Sequence, residues 1–256
     1  MKNETELYLS QIAKTLSGVM PVFTYAESDS TNNASKRLLL AGRKPPFLTV
    51  AAAQTAGRGR QGKSFFSPHG GIYMTAALSP QILRADCIGI TAYAAVAVCR
   101  AVSDCAGQEC GIKWVNDVYL NAKKICGILT ESVLNPQTLE PCGVLVGIGI
   151  NLHLRELPDD LKEIAGSLPW EGDDIRPSLI GHIVRTLLQY DPQDVSFMRE
   201  YRCRSTVLHK RIRYLRGDVW KEGTVYEIAD EGSLHVICDD GSHEILCSGE
   251  ITVRTV

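Results

Sequence analysis

One short segment restricts what this chain can fold into more than any other. Phe47 to Ala53 reads as an apolar strand, and the ten residues after it, Gln54-Thr-Ala-Gly-Arg-Gly-Arg-Gln-Gly-Lys63, hold three glycines, two arginines and a lysine. Gly57 to Ser64 even spells G-x-x-x-x-G-K-[ST], the pattern of a P-loop, which would dictate a strand, a phosphate-binding turn and then a helix. Pro68, Gly70 and Gly71 follow at once, so no helix starts there. No apolar strand ends in the aspartate that would hold magnesium in such a fold; the best, Gly143 to Ile150, ends in Asn151. The match is a coincidence of glycine spacing. What remains is a cationic, glycine-rich loop whose backbone N–H groups can turn toward an anion. With little apolar surface of its own, it is expected to be mobile until a polyanion fills it.

The surrounding composition narrows the classes. A formal charge of −2 makes the basic loop a local feature and argues against a nucleic-acid-coating surface. Nine cysteines without a C-x-x-C pair predict reduced thiols in a cytoplasmic protein. Six histidines show no H-x-x-x-H or Cys/His cluster, so no structural zinc is expected. The N-terminus is polar, without a signal-peptide core, and the nearly apolar run Ile88–Cys99 falls short of the ~18 residues of a membrane span. No membrane association is expected.

Along the chain, Glu6–Leu16 predicts a short helix, Phe23–Tyr25 a strand, and Asn33–Leu40 a helix closed by Gly42. Ser30 and Thr31 precede that helix, either capping it or presenting hydroxyls to a ligand from its N-terminus. Ile72–Leu78 reads as a strand and Ile88–Ala106 as a long alanine-rich helix. Ile112–Leu120 reads as one strand that turns through Asn121–Lys124 into a second, Ile125–Glu131. In Gly143–Leu152, period two puts Val144, Val146, Ile148, Ile150 and Leu152 on a core face, and Gly143, Gly147, Gly149 and Asn151 on the other. Such a bare face marks a close approach to the backbone, by a packed helix or by a ligand. Asp159–Trp170 reads as a connection or short helix. A helix from Pro177 buries an apolar stripe from Leu179 to Leu188, and another short helix spans Val195–Cys203.

From Val207 the texture changes to five short strands, Arg211–Leu215, Trp220–Ile228, Ser233–Cys238, Ser242–Cys247 and Glu250–Val253. Tight turns at Arg216–Asp218, Asp230–Gly232 and Asp239–Gly241 separate them, as in a small SH3-like barrel. The expected division is 1–205 and 206–256.

Several motifs stand in sequence order: Asp29-Ser-Thr-Asn32, Gln54 to Gly62, Phe66-Ser-Pro68, Lys113-Trp-Val-Asn-Asp117, Lys124-Ile-Cys-Gly-Ile-Leu129 and Gly147-Ile-Gly-Ile-Asn151. As a set, from about Ser28 to the C-terminus, they resemble the biotin protein ligases. That resemblance implies an α+β catalytic domain with a mixed central sheet and helices packed on it, the class II aminoacyl-tRNA-synthetase-like or biotin–lipoate ligase fold, followed by the SH3-like unit. It implies ATP-dependent attachment of biotin to a lysine of a biotin carboxyl carrier protein, such as that of acetyl-CoA carboxylase, through biotinyl-5′-AMP. By the same resemblance, Ser30, Thr31, Asn32, Gln54, Gly57, Arg58, Lys124 and Gly127 would meet biotin. Gly59, Arg60, Lys63, Phe65, Asn116 and Asn151 would meet ATP or the adenylate. Lys124 would be the principal catalytic residue, with Arg58 and Asp117, the last holding Mg²⁺ on ATP or orienting the acceptor amine. Without the motifs, Lys124 would read as a solvated turn lysine, as Lys123 does.

Two positions depart from the family pattern. Val115 stands where proline is common, and Phe65 stands where many members carry a tryptophan that stacks on adenine, offering a smaller ring. Relatives that repress transcription carry a winged helix-turn-helix ahead of these motifs. Fewer than thirty residues precede Ser30 here, so no sequence-specific DNA binding is expected. Family precedent points to a homodimer. Two other classes compete: a lipoate or octanoate ligase or transferase on the related fold, and a non-catalytic biotin-binding module. The loop and Lys124 speak against the module, which needs no clamp for a triphosphate.

Overall fold

In the computed structural model, residues 2–82, 87–152, 157–216, 219–247 and 254–255 are described. Eleven strands and five helices precede a final two-residue strand. In order they are α1 (Lys2–Thr15), β1 (Val22–Tyr25), α2 (Thr31–Leu40), β2 (Phe47–Ala51), β3 (Ile72–Leu78), α3 (Ile88–Ala106), β4 (Gly111–Lys113), β5 (Asp117–Leu120), β6 (Lys123–Leu134) and β7 (Pro141–Ile150). Then come α4 (Arg176–Leu187), α5 (Phe197–Arg204), β8 (Arg211–Arg216), β9 (Val219–Ile228), β10 (Leu234–Cys238), β11 (His243–Leu246) and β12 (Arg254–Thr255).

The first seven strands form one mixed sheet, ordered β1-β2-β3-β7-β6-β5-β4, parallel only between β1 and β2. Alternation along β3 and β7 assigns its two faces. Ile72, Met74, Ala76 and Leu78 with Val144, Val146, Ile148 and Ile150 join the large core under α1, α3 and α4. Phe47, Ala77 and Leu145 pack with Leu39 of α2 on the opposite face. The period-two reading of β7 therefore holds, with Leu145 completing its second face.

Helix α3 is long because nothing in Ile88–Ala106 breaks it until Gly107, whose left-handed conformation (φ 62°) closes the C-terminus. By length and composition it could cross a membrane, which the apolar run alone did not suggest; two-thirds of it (67%) is buried inside the fold. Helix α4 begins with Pro177 in its first turn and buries Leu179, Ile180, Ile183, Val184 and Leu187. Each such side chain contributes roughly 1.5–3 kcal/mol when fully buried.

One stretch differs from its reading. Ile112–Leu120 is not one strand: Lys113 pairs with Asp117, so Trp114–Asn116 is the turn of a β4–β5 hairpin. Residues 159–170 are a connection and not a short helix, with turns and isolated bridges that set Ala165 beside Lys124 and Leu168 beside Leu152. The hairpin between β5 and β6 is as expected, and Asn121 and Ala122 both adopt positive φ (49° and 63°), matching the twist of a tight hairpin.

The remaining strands form an antiparallel sheet, β11-β10-β9-β8-β12. The expected strand Glu250–Val253 and most of the turn Arg216–Asp218 lie outside the described residues. This sheet is fastened to the first. Thr206 N donates to Ile112 O (2.9 Å), Arg202 donates to Ile228 O (3.0 Å), and Ile212, Tyr214 and Val225 belong to the large core.

Candidate active site

The floor of a cleft is set by β6 and β7, where Gly127 faces Gly149 and Leu129 faces Gly147. What presses on the bare glycines is partly helix and partly loop. A Cβ on Gly143 would meet Leu39 of α2 at 3.1 Å, one on Gly147 would meet Asn32 Oδ1 at 2.1 Å, and one on Gly149 would meet the Phe65 ring at 2.5 Å. These positions need glycine because protein side chains already fill the space.

One wall comes from the N-terminus of α2. Ser30 is its buried N-cap residue, yet its side chain makes no capping hydrogen bond and lines the cleft. Gln54 Oε1 accepts from Thr31 N (2.8 Å) and Thr31 Oγ1 (3.2 Å), and Gln54 Nε2 donates to Ser67 Oγ (2.8 Å). Thr75 Oγ1 donates to Asn32 Oδ1 (2.7 Å) and lies 2.8 Å from Thr31 Oγ1. A buried, interlinked row of this kind fixes the orientation of each amide and hydroxyl. Beside it, Arg37 grips Asp29 with two hydrogen bonds (2.8 and 2.9 Å), holding that carboxyl well below the usual carboxylate range.

The glycine-rich loop has an internal framework that its composition did not suggest. Gly59 N donates to Lys63 O (2.7 Å), Lys63 N to Arg60 O (3.1 Å) and Phe65 N to Gly57 O (2.9 Å). Gln61 (φ 55°) and Gly62 (φ 73°) turn its tip. The glycines serve this pairing: a Cβ on Gly57 would meet Phe65 O at 2.3 Å, and one on Gly59 would meet Lys63 O at 3.2 Å. Arg58 reaches Glu131 on β6 by NH1 (3.1 Å) and NH2 (2.8 Å), and Asn33 Oδ1 by NH1 (3.0 Å). Arg60 points inward and donates to Asn116 Oδ1 (2.9 Å); burial pulls its guanidinium below the ordinary value, against the pull of Asp117.

Opposite the loop stands Lys124, whose Nζ lies 2.7 Å from Asp117 Oδ1. The contact is an ion pair held by charge and proximity, without well-aligned hydrogen-bond geometry. A strap, residues 164–166, fastens the backbone of Lys124: Lys124 N donates to Ile164 O (2.9 Å) and Gly166 N to Lys124 O (2.9 Å). Lys123 is the ordinary lysine expected, exposed and bonded to Lys162 O (3.0 Å).

Ser30, Thr31, Asn32, Gln54, Arg58, Gly59, Arg60, Phe65, Asn116, Lys124 and Gly127 therefore line one cleft, of about 450 Å³ counted to its open mouth. Only about 50 Å³ of that lies free within the cleft, so Phe65 and the loop fill most of it as it stands. Phe65 also borders a larger open cavity, shared with Gly57, His69 and Asp160. Four expected residues stand off the cleft. Gly57 lies behind Gln54; the Lys63 side chain is exposed and the residue acts through its backbone; Asp117 is reached through Lys124. Asn151 is buried, its Nδ2 donating to Gly166 O (3.0 Å) and Lys124 O (3.5 Å). Sequence reasoning missed Thr75 and Glu131; a lone polar residue inside an apolar strand was the available signal for Thr75, and a carboxylate amid a strand for Glu131.

Among the described residues, no group of three or more His, Cys, Asp or Glu could hold a metal by itself. A magnesium ion would fit only in company with phosphates, which suits its habit of taking one or two carboxylates. Asp117, its Oδ1 held against Lys124 Nζ, is the carboxylate nearest the cleft's cations and would have to part from Lys124 to meet it.

A mixed sheet, a cationic loop and a sheet-mounted lysine thus surround one small cleft. Residues 24–151 match the biotin/lipoate A/B protein ligase family, and residues 209–254 match the biotin protein ligase C-terminal domain. The chain belongs to the biotin/lipoate A/B protein ligase family. It is 38% identical over 160 residues to the bifunctional ligase/repressor BirA of Bacillus subtilis, covering 60% of this chain and 49% of that protein. To the biotin–[acetyl-CoA-carboxylase] ligase of Paracoccus denitrificans it is 38% identical over 133 residues, 50% of this chain and 52% of that one. The biotin protein ligase of Aquifex aeolicus, solved in complex with biotin and ATP, superposes with a TM-score of 0.77 at 25% identity, over 92% of this chain and 99% of that one. The chain spans about half the length of these two curated relatives.

Proposed function

We propose that this protein is an ATP-dependent biotin–protein ligase. The observation that carries the reading is the convergence on one cleft of a polar wall (Ser30, Thr31, Gln54) and a cationic end (Arg60, Lys124, with Asn116). The wall suits a small polar head group, and the cations suit a carboxylate meeting a phosphate.

In the first step a carboxylate oxygen of biotin attacks the α-phosphorus of ATP, the bond to the β-phosphate breaks, and pyrophosphate leaves. Charge develops on the phosphoryl oxygens, and Lys124 and Arg60 are positioned to meet it. In the second step a lysine amine of the acceptor attacks the activated carbonyl, an amide forms and AMP leaves. Asp117, next to Lys124, is placed to receive the proton of that amine or to face Mg²⁺, which would neutralise the departing phosphates. The loop carrying Arg58 and Arg60 would shield the adenylate from water. Phe65, bordering both cavities, is the residue suited to stack on a base lying across it.

The wider reading is a catalytic unit, 1–205, and an SH3-like unit, 206–256. The acceptor is the carrier domain of a biotin-dependent carboxylase, and the working assembly a homodimer. Nine cysteines without a disulfide favour the cytoplasm.

Incubating the protein with ATP, Mg²⁺ and either biotin, lipoate or octanoate, and following pyrophosphate, tests the reading. Release with biotin supports it; release only with lipoate or octanoate assigns the chain to the other branch of the family.

A further inference from the structure

We infer that Glu131 is the positioning residue for the glycine-rich loop, a latch on the sheet that Arg58 grips to keep the loop over the cleft. Glu131 is a half-buried carboxylate on β6 (side chain 29% exposed), the one charged residue of the strand beyond Lys123 and Lys124. Among the described residues, the hydrogen bonds of its carboxylate all point toward the loop and the N-terminus of α2. Its Oε1 accepts from Arg58 NH2 (2.8 Å), and its Oε2 accepts from Arg58 NH1 (3.1 Å) and from Asn32 Nδ2 (2.7 Å).

The pair is two-pronged, and Asn33 Oδ1 takes a further bond from the same guanidinium nitrogen (3.0 Å). Such geometry is directional in a way a single lysine contact is not. Arg58 is thereby spent on the protein, whereas Arg60, two residues on, turns into the cleft toward Asn116. The two arginines divide the work: Arg60 and Lys124 face the ligand, while Arg58 and Glu131 set how long the loop stays down. Asn32 couples the latch to the ligand wall, since Thr75 holds its other amide atom.

This inference rests on the ligase reading only in naming what the loop retains, the acyl-adenylate. Two measurements separate them. In the protein without substrates, hydrogen exchange of the amides from Gly59 to Ser64 should accelerate roughly fivefold in Glu131→Gln and in Arg58→Ala, the size expected of a partly exposed ion pair. The double variant should be no faster than either single one. With preformed biotinyl-adenylate, the same variants should release it roughly fivefold faster and biotinylate arbitrary lysines more readily. The reversed pair, Arg58→Glu with Glu131→Arg, should recover retention. Unchanged exchange in Glu131→Gln, or additive effects in the double variant, overturns the latch whatever the substrate proves to be. Accelerated exchange with no adenylate formed by the parent protein would keep the latch and overturn the ligase reading.

Discussion

Lys124 and Gly127 sit three positions apart on β6 and yet share a face: a Cβ on Gly127 would lie 3.2 Å from Lys124 Nζ. A strand alternates its side chains, so an odd spacing should send them to opposite sides. The register shifts here. Val118 pairs with Cys126 and Tyr119 with Lys124, leaving Ile125 as an extra residue on β6. Such a bulge re-aims the residue beside it, and both Ile125 and Cys126 turn inward as a result. Lys124 is thereby delivered into the cleft from a paired strand.

Replacing Lys124 with alanine should lower adenylate formation by something like ~10²–10³, the loss typical of one charge-stabilising donor. Pyrophosphate release under single-turnover conditions measures it. Turnover near that of the parent protein would remove Lys124 from the chemistry.

Gly127→Ala tests the crowding of the floor. The added methyl would stand 3.0 Å from Phe65 Cε2 and 3.2 Å from Lys124 Nζ, so both groups must shift. The shift is a few tenths of an ångström, so the rate should fall measurably but by less than the ~10²-fold that a full ångström of misplacement can cost. The thermal midpoint should change little, because both neighbours are side-chain ends; a rate equal to the parent's would show that the floor has slack.

Trp114 donates its indole N–H to the carbonyl of Gly232 (2.8 Å), joining the β4–β5 turn to the second sheet. Two residues after Trp114, Asn116 holds Arg60. Trp114→Phe leaves a buried carbonyl unpaired, at about 1–3 kcal/mol. For a chain of this size the thermal midpoint should fall by roughly 2–10 °C. The apparent KM for ATP should rise as Asn116 loosens. A lowered midpoint with unchanged KM would mean that the second sheet supports the fold and not the cleft.

The Asp29–Arg37 pair gives a pH signature. The folded carboxyl is held below its unfolded value, so its stabilisation is present above about pH 4 and is lost as pH falls through the lower, folded value. Both side chains are more than a third exposed (39% and 61%), so screening limits the effect to about 1 kcal/mol or less. Asp29→Asn should lower the urea midpoint at pH 7, and its gap to the parent protein should start to narrow only below about pH 4 and go on narrowing as the pH falls further. A gap of constant size down to about pH 2 would assign the loss to packing.

Much of this was legible in the sequence because it rests on short-range periodicity. The α4 stripe, the two faces of β7 and the Asn121–Ala122 turn follow from 3.6-residue, two-residue and tight-turn rules. Most of the cleft was legible through its motifs. The bulge at Ile125 was not, since alternation carries no mark of an inserted residue. Nor was Trp114–Asn116 as a turn, because Trp114 and Val115 continue the apolar run of a strand and only the pairing of Lys113 with Asp117 reverses the chain. Glu131 escaped because its meaning depends on Arg58, 73 residues away.

The attachment of Lys124 has a consequence for timing. Its backbone is stitched on one side to β5 and on the other to the strap, so it cannot move without the sheet moving. Arg60 rides on a segment that can detach and return many times while the sheet stays still. In the proposed reaction the stationary cation would set where the phosphorus lies, and the Arg58–Glu131 latch would set when the travelling one arrives.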